Sequence, residues 1–231
     1  LTSNMASSGG GGIFCGSNSN SSLENVTISD NTATNGGGIY SNNSTINIEN
    51  STISNNQTST GSGGGIWAVN YSVFNISNSA INNNRSIMQD AGGIFSSISN
   101  FNMSDVIITE NTAALNGGGI LAQSDSDPWI FTQVLIANNS ANSLGGGYWH
   151  NGQDSSNPTL TNCTIANNIS SNGGGFICVN GSNALFNNCI ITNNYPQEVY
   201  FYPDDEPSTI TFNYSDIEGG QSGIETNNNG T

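Results

Sequence analysis

The sequence has almost no positive charge: Arg85 is the single arginine among 231 residues, and lysine does not occur. The formal net charge of −15 therefore comes from 16 Asp and Glu residues that have almost no cationic partners. Nucleic-acid binding is not expected, because it depends on Lys and Arg contacts with phosphates. Docking on an anionic lipid surface needs basic residues too, and is excluded in the same way.

Long apolar segments are also missing. The chain has no run of about 18 apolar residues, so it contains no transmembrane helix, and it does not open with a signal peptide. No segment has the apolar period of an amphipathic helix. Asparagine, in contrast, occurs 41 times. Such a polar composition is typical of disordered chains, but here the apolar residues recur at fixed spacing, which low-complexity linkers do not show.

The recurring feature is a glycine cluster followed by two large apolar residues, as in NGGGIY at 35–40. Related clusters occur at 9–14, 63–67, 91–95, 116–121, 144–149 and 172–177. A polar residue follows each cluster in steps of 25 to 29 residues, and this first amide column comprises Asn25, Asn50, Asn78, Asp105, Gln133, Asn162 and Asn188. A second amide column comprises Asn31, Asn56, Asn84, Asn111, Asn139, Asn168 and Asn194.

A repeat of this length indicates stacked supersecondary units. Within each repeat, apolar and polar residues alternate with a period of two, as in Ile46-Asn47-Ile48, which is typical of strands. Three short strands per repeat of about 27 residues fit one coil of a parallel β-helix. About eight coils would form a rod roughly 40 Å long at the spacing of neighbouring strands. We therefore predict an all-β solenoid that occupies residues 1–231 as a single domain.

The repeated residues have physical roles in such a solenoid. Asparagines at a bend are expected to hydrogen-bond to the backbone and to the asparagines of neighbouring coils, which forms ladders. Glycines are expected where each coil turns into its first strand, because positive φ or close backbone stacking is needed there. The predicted core consists of one column with Ile39, Ile66, Ile94, Ile120, Tyr148 and Phe176, and another with Ile28, Ile53, Ile81, Ile108, Ile136, Ile165 and Ile191.

The unit GGGI…N-S-T-I-S-N-N resembles the repeats of right-handed parallel β-helix proteins of the pectin-lyase-like superfamily. It is also similar to the glycine-rich repeats of polymorphic outer-membrane adhesins, and the segment 187–220 resembles the last coils of surface proteins with a choice-of-anchor domain. The resemblance covers nearly the whole chain and implies right-handed coils and a secreted or cell-surface location. It does not specify a function, because the fold carries lyases, hydrolases, adhesins and structural rods.

The ends of the sequence lack the capping segments that repeat arrays normally need. Residues 1–4 align with the middle of a coil, in the manner of Ile28-Ser29-Asp30-Asn31. We therefore expect the domain at 1–231 to be a fragment or a processed part of a longer surface protein.

A column of large apolar residues directly follows the first core column. Because neighbours on a strand point to opposite faces, this aromatic column is predicted to face outward. A contiguous exposed apolar surface usually marks a contact site, so the column is a candidate surface for sugar rings or for another protein. The alternative is an outer layer covered by loops. The aromatic column comprises Phe14, Tyr40, Trp67, Phe95, Leu121, Trp149 and Ile177.

Acidic residues cluster in connections near the C-terminal end of the sequence. Carboxylates with little nearby positive charge suit Ca²⁺, which is the one cofactor that the sequence suggests. The alternative is that these segments are solvated loops. The candidate ligands are Asp125, Asp127, Asp154, Asp204 and Asp205, and Glu206 adjoins them.

Catalysis has less support in the sequence. Lyases of the fold that the chain resembles use Arg or Lys against uronates, whereas here Arg85 stands alone and a pairing with Asp90 would account for it. Paired carboxylates remain an alternative for acid–base chemistry. That alternative catalytic set comprises Asp125, Asp127, Asp154 and His150. A buried structural role is the favoured interpretation of His150.

The four cysteines fall in two columns. Cys163 and Cys189 occupy the same position in adjacent coils, within the range of a disulfide but with side chains that point in parallel. Cys15 and Cys178 share a column but lie six coils apart. We expect free, buried thiols that pack as small apolar residues.

Together these features favour a non-catalytic extracellular or cell-surface rod, structural or adhesive, that binds glycans or a protein through the aromatic column. A further hypothesis is end-to-end stacking of copies into filaments, because bare coil ends expose unpaired strand edges. The alternative function is a carbohydrate-active lyase or hydrolase.

Overall fold

The computed structural model describes residues 1–123, 129–152, 157–204 and 206–231. It confirms the predicted fold: an all-β parallel solenoid of about eight coils with about 27 residues each. Each coil contributes strands to up to three sheets, usually two of them to the largest sheet, and each strand pairs in parallel with the equivalent strand one coil away. In the described residues, no helix has the length and apolar character needed to span a membrane.

Sheet 1 contains the strands that follow the glycine clusters. Its nine strands, in their order along the sheet, are Ile13–Gly16, Ile39–Asn42, Ile66–Val69, Ile94–Ser97, Ile120–Gln123, Tyr148–Asn151, Phe176–Val179, Val199–Phe201 and Ile224–Glu225. The register holds the repeated residues of the sequence opposite one another, as in Ile39 with Ile66 and Ile66 with Ile94.

Sheet 2 is the largest, with fourteen strands that come mostly in pairs from each coil. They are Asn20–Glu24, Thr27–Ser29, Thr45–Glu49, Thr52–Ser54, Val73–Asn82, Asn100–Thr109, Ile130–Thr132, Leu135–Ala137, Thr159–Thr161, Thr164–Ala166, Asn183–Asn187, Ile190–Thr192, Thr209–Asn213 and Asp216–Ile217. Sheet 3 consists of Thr32–Ala33, Gln57–Thr58, Arg85–Ser86, Thr112–Ala113 and Ser140–Ala141. A single 3-10 turn at Gly220–Gly223 completes the described elements.

The core lies inside the coils and contains both predicted columns. Every member of the two columns is buried, with exposed fractions between 0 and 1%. Aromatic rings add a stack within the core, because Phe74 and Phe101 lie face to face with centroids 4.7 Å apart and Trp129 follows at 4.7 Å. The indole of Trp129 donates to the carbonyl of Ser99 at 3.1 Å, so the polar atom of this buried ring is satisfied.

The first amide column lies at an exposed bend rather than in a buried ladder. Its seven residues have φ between 47° and 56°, in the left-handed region that Asn and Asp tolerate better than most residues. In most coils they separate the two strands of sheet 2, whereas Asn78 and Asp105 bend the continuous strands Val73–Asn82 and Asn100–Thr109. Side-chain bonds between coils occur from Gln133 to Asp105 at 3.0 Å and from Asn188 to Asn162 at 2.7 Å. This column therefore serves mainly to turn the backbone. The sequence had suggested a ladder of side-chain hydrogen bonds at all of these positions.

The second amide column forms a continuous buried ladder. The Nδ2 of each asparagine donates to the Oδ1 of the next one at 2.9–3.0 Å, from Asn31 through to Asn194. The same Oδ1 also accepts the backbone N–H of the preceding asparagine, as for Asn84 on Asn111 at 3.0 Å. Each Nδ2 further donates to a backbone carbonyl of the preceding coil, which is that of Leu1 for Asn31 and of an isoleucine for the others, as Asn111 does to Ile81 at 2.9 Å. The buried polar groups of this ladder therefore have hydrogen-bond partners on every side.

The ladder extends at both ends beyond the seven residues of the second amide column, into Asn4, which the alignment of residues 1–4 with 28–31 anticipated, and into Glu198, which it did not. Asn4 donates its Nδ2 to Asn31 at 2.8 Å, so it belongs to the ladder as well. At the other end, Asn194 donates its Nδ2 to the carboxylate of Glu198 at 2.6 Å. Glu198 is only 5% exposed, and its burial raises the pKa of that carboxyl, although the hydrogen bonds from Asn194 oppose the shift.

The glycine clusters follow from close stacking of the coils. Gly63 has φ of 70°, and a Cβ at that position would be strained. Gly64 has no room for a side chain, because its Cβ would lie 2.5 Å from the Gly92 carbonyl oxygen of the next coil. The cluster is thus required both by a positive φ and by backbone contact between coils.

Candidate functional site

The aromatic column faces away from the core, and its first four rings form a parallel stack. Phe14 and Tyr40 have ring centroids 5.0 Å apart, Tyr40 and Trp67 are 6.5 Å apart, and Trp67 and Phe95 are 4.1 Å apart. The interplanar angles do not exceed 12°. The stack follows from the register of sheet 1, in which each ring lies directly opposite the equivalent ring of the neighbouring coil.

The aromatic column is not the continuous exposed surface that the sequence suggested. Phe14 is 61% exposed, but Phe95 is 7%, Leu121 is 1% and Ile177 is 0% exposed. The glycine turns pack directly over the buried members of the column. At Gly117, for example, a Cβ would lie only 2.6 Å from the Cβ of Leu121. The covered outer layer, which the sequence left open as an alternative, describes Phe95, Leu121 and Ile177. Tyr40, Trp67 and Trp149 are half-buried, and only Phe14 is largely exposed.

A second outward surface, on sheet 2, is more open and more regular. Asn47, Asn75 and Asn102 lie opposite one another in neighbouring strands, between buried residues such as Ile76 and Met103. Their amides bond in series, because Asn75 Nδ2 donates to Asn47 Oδ1 at 2.8 Å and Asn102 Nδ2 donates to Asn75 Oδ1 at 2.9 Å. The result is an outward row of oriented amides that runs along the axis of the solenoid.

This row forms the floor of a shallow groove of about 440 Å³. We call it the amide groove; its outward side chains are Asn47, Asn75, Asn102, Ser77, Ser104, Ile130 and Glu49. Ile130 is 48% exposed, so the groove offers an aliphatic contact next to the amides and hydroxyls. Each amide keeps hydrogen-bonding capacity toward solvent, because an asparagine has two donors and two acceptor lone pairs.

The amide groove is suited to binding rather than to acid–base chemistry. Among its described lining residues, Glu49 is the only carboxylate. Glycoside hydrolysis commonly uses two carboxyl groups on either side of the scissile bond. Hydroxyl-rich ligands, in contrast, need the planar donors and acceptors that Asn and Ser supply. The sequence signal for this groove was an asparagine between two apolar residues at equivalent positions, but nothing distinguished it from other outward positions.

The acidic candidates lie mostly outside the described residues, which is the case for Asp125, Asp127, Asp154 and Asp205. The described Asp204 accepts the backbone N–H of Asn180 at 2.6 Å and the Nδ2 of Asn229 at 2.7 Å, so it joins two turns. Within the described ranges, no group of three or more His, Cys, Asp or Glu residues is placed to hold a metal ion. The Ca²⁺ site therefore stays a prediction.

His150 lies within the core and is 0% exposed. Its Nδ1 is 3.1 Å from the hydroxyl of Tyr148, and the two rings meet edge to face.

Arg85 lies exposed on sheet 3, and the carboxylate of Asp90 accepts two hydrogen bonds from Asn116 at 3.0 Å. Burial raises the pKa of Asp90, whereas the bonds from Asn116 lower it.

The four cysteines are free and buried. Cys163 and Cys189 are neighbours in adjacent coils, and each Sγ donates to the carbonyl two residues before it, at 3.4 and 3.3 Å. Burial raises the pKa of the fully buried Cys178 thiol. The packing of these side chains agrees with the expectation of small, buried thiols.

Comparison with known proteins gives one match and two negative results. The family model described as "Right handed beta helix region" matches residues 1–141 and 104–231, which together span the chain. No curated protein matches the chain. No solved structure matches it either.

Proposed function

The chain belongs to the right-handed β-helix family, and on that premise we propose that it is a non-catalytic extracellular or cell-surface rod that binds neutral polysaccharide. The observation that carries this proposal is the amide groove, with its three oriented asparagines in register. The rod would present these groups in fixed positions, so a bound glycan would lie along the axis of the solenoid.

The spacing of the groove supports an extended polymer as the ligand. Equivalent groups recur at each coil, about 4.8 Å apart, and an extended β-linked glycan advances by a comparable distance per sugar. Each sugar could therefore meet the same chemistry in successive coils: an amide from the asparagine row and a hydroxyl from Ser77 or Ser104. Individual hydrogen bonds of this kind contribute little each, but a polymer makes many of them.

The charge of the protein supports a neutral glycan over an acidic one. The net charge is −15, and Glu49 lies in the groove itself. A like-charged polymer is repelled by such a field, most strongly at low ionic strength. Uronate-rich polysaccharides are therefore poor candidates, which also weakens the lyase alternative. A structural or adhesive role on a cell surface is consistent with reversible binding of neutral glycans.

The proposal is tested by measuring binding of neutral polysaccharides, such as a soluble cellulose derivative, a mixed-linkage glucan and a mannan, against polygalacturonate. Production in a bacterial host avoids glycosylation of Asn75 and Asn102, which both begin Asn-x-Ser sequons. We expect at least one neutral polymer to bind and polygalacturonate not to bind at physiological ionic strength. Absence of binding by every neutral polymer would overturn the proposal.

Variants assign the binding to the groove. The double variant Asn75→Ala/Asn102→Ala should weaken binding about tenfold, the equivalent of one to two hydrogen bonds. Asn213→Ala is the matched control, because it also removes an exposed amide pair on sheet 2, with Asn187 at 2.9 Å, but lies outside the groove. Unchanged binding by the double variant would place the ligand elsewhere. Release of reducing ends during incubation would instead support the enzyme alternative.

A further inference from the structure

Cys163 and Cys189 are held side by side by the register of sheet 2. Thr161 pairs with Asn187 and Thr164 pairs with Ile190, so the two cysteines occupy equivalent positions in adjacent coils. The N–H of Ile190 donates to the carbonyl of Cys163 at 3.0 Å and closes the spacing there. Stacked Cα atoms about 4.8 Å apart fall within the range that disulfides require.

The same column holds serine in other coils, with the same hydrogen bond. Ser51, Ser79 and Ser215 donate their hydroxyls to the carbonyl two residues before, at 2.7, 2.6 and 3.0 Å. Cys163 and Cys189 make this contact through sulfur. A hydroxyl thus satisfies the fold at this position, so the backbone does not require sulfur there. Two thiols in adjacent coils are therefore a feature beyond what the fold needs.

The pair also has the chemistry of interacting thiols. The neighbouring Cys189 thiol, followed by burial, raises the pKa of Cys163. The neighbouring Cys163 thiol in turn lowers the pKa of Cys189 below the ordinary value of a cysteine. Thiol–disulfide exchange begins with attack by a thiolate, and a thiol with a pKa near the ambient pH attacks best. A shallow depression of about 340 Å³ lies on the surface next to the exposed Tyr214, but the two cysteines are only 1% and 2% exposed, so an oxidant reaches them as the chain folds.

We propose that Cys163 and Cys189 form an intramolecular disulfide that links two adjacent coils when the protein meets a disulfide oxidant such as oxidised glutathione. The Cys189 thiolate attacks one sulfur of the oxidant and displaces one glutathione thiolate, which takes up a proton. The Cys163 thiol then loses its proton, and its sulfur displaces the second glutathione. Two protein thiols are oxidised, and one oxidised glutathione is reduced to two thiols.

The test is to refold and incubate the protein in buffer with oxidised glutathione, alkylate the remaining thiols and map the peptides by mass spectrometry. We expect two of the four thiols to be lost, with Cys163 and Cys189 in one cross-linked peptide pair and Cys15 and Cys178 alkylated. Tm should rise on oxidation by roughly 5–10 °C, because a loop of this length loses entropy in the unfolded chain.

Serine variants provide the control, since serine occupies this column in three other coils. Cys163→Ser and Cys189→Ser should fold with unchanged circular dichroism, should form no intramolecular link, and should show no rise in Tm on oxidation. Four free thiols in the oxidised wild-type protein would overturn the proposal. A link that involves Cys15 or Cys178 would overturn it as well.

Discussion

The buried amide ladder can be tested at its middle, by Asn111→Ala. The side chain of Asn111 is 0% exposed and takes part in four hydrogen bonds. Its Oδ1 accepts the backbone N–H and the Nδ2 of Asn84, both at 3.0 Å, and its Nδ2 donates to Ile81 at 2.9 Å and to Asn139 at 3.0 Å. Alanine removes all four and leaves the backbone N–H of Asn84 and one of its two Nδ2 hydrogens buried without a partner, while the other hydrogen keeps its bond to the Ile53 carbonyl.

The magnitude follows from the orphaned groups. A buried donor without a partner costs about 1–3 kcal/mol, so two of them should lower the free energy of unfolding by about 2–6 kcal/mol. The Oδ1 of Asn139 still accepts one hydrogen bond, because the backbone N–H of Asn111 reaches it at 3.0 Å in the variant as well. In a chain of this size such a loss corresponds to a fall in Tm of roughly 10 °C.

The assay is denaturant unfolding followed by circular dichroism, with Tm measured in parallel. The control is Asn102→Ala, which removes one amide bond of the exposed row and should change the free energy of unfolding by at most about 0.5 kcal/mol. If Asn111→Ala and Asn102→Ala proved equally mild, the buried ladder would not stabilise the fold through satisfied polar groups, and the reasoning would be wrong.

Two further predictions concern the carboxyl groups that burial perturbs. Lowering the pH from 7 to 5 should raise Tm, because the raised pKa values of Glu198 and Asp90 make the folded protein bind protons that the unfolded chain releases. This contribution is present in full below the ordinary pKa values of these groups and is lost as the pH rises through their folded values; a Tm that falls steadily from pH 7 to 5 would contradict it. Glu198→Ala should destabilise the protein by about 1–3 kcal/mol, because the backbone N–H of Asn194 then loses its carboxylate acceptor and its Nδ2 keeps only the carbonyls of Ile165 and Thr192, while Glu198→Gln keeps an acceptor and should cost less. Equal unfolding midpoints for the two Glu198 variants would show that the acceptor is not needed.

The sequence predicts the fold well because the solenoid is nearly one-dimensional. A residue's column follows from its position in the repeat, so Ile39 and Ile66 could be placed in one column without knowledge of the remaining coils. The second amide column was visible for the same reason. The end of that column at Glu198 was not visible in the sequence, since Glu198 breaks the repeat and only the contact of Glu198 with Asn194 reveals its role.

The candidate site was harder to predict from the sequence. Alternation on a strand gave the correct face for Phe14 and Leu121, but not the burial of Leu121, which depends on how closely the glycine turns pack over the column. The amide groove was missed because Asn75 and Asn102 are only two of 41 asparagines, and identity alone does not show which of them point outward in register. The left-handed bend at residues such as Asn50 was likewise invisible, because asparagine serves both in bends and in ladders.

The direction of the buried ladder gives the rod a chemical polarity. Every Nδ2 points toward the following coil, so the amide dipoles add along the axis, and the array is distinguishable from its reverse. A carboxylate is the group that ends such a sequence, because an ionised carboxylate accepts hydrogen bonds and has none to donate. The length of the ladder is therefore set separately from the length of the solenoid: the amide series ends at Glu198, while strands such as Val199–Phe201 and Thr209–Asn213 continue the coils beyond it.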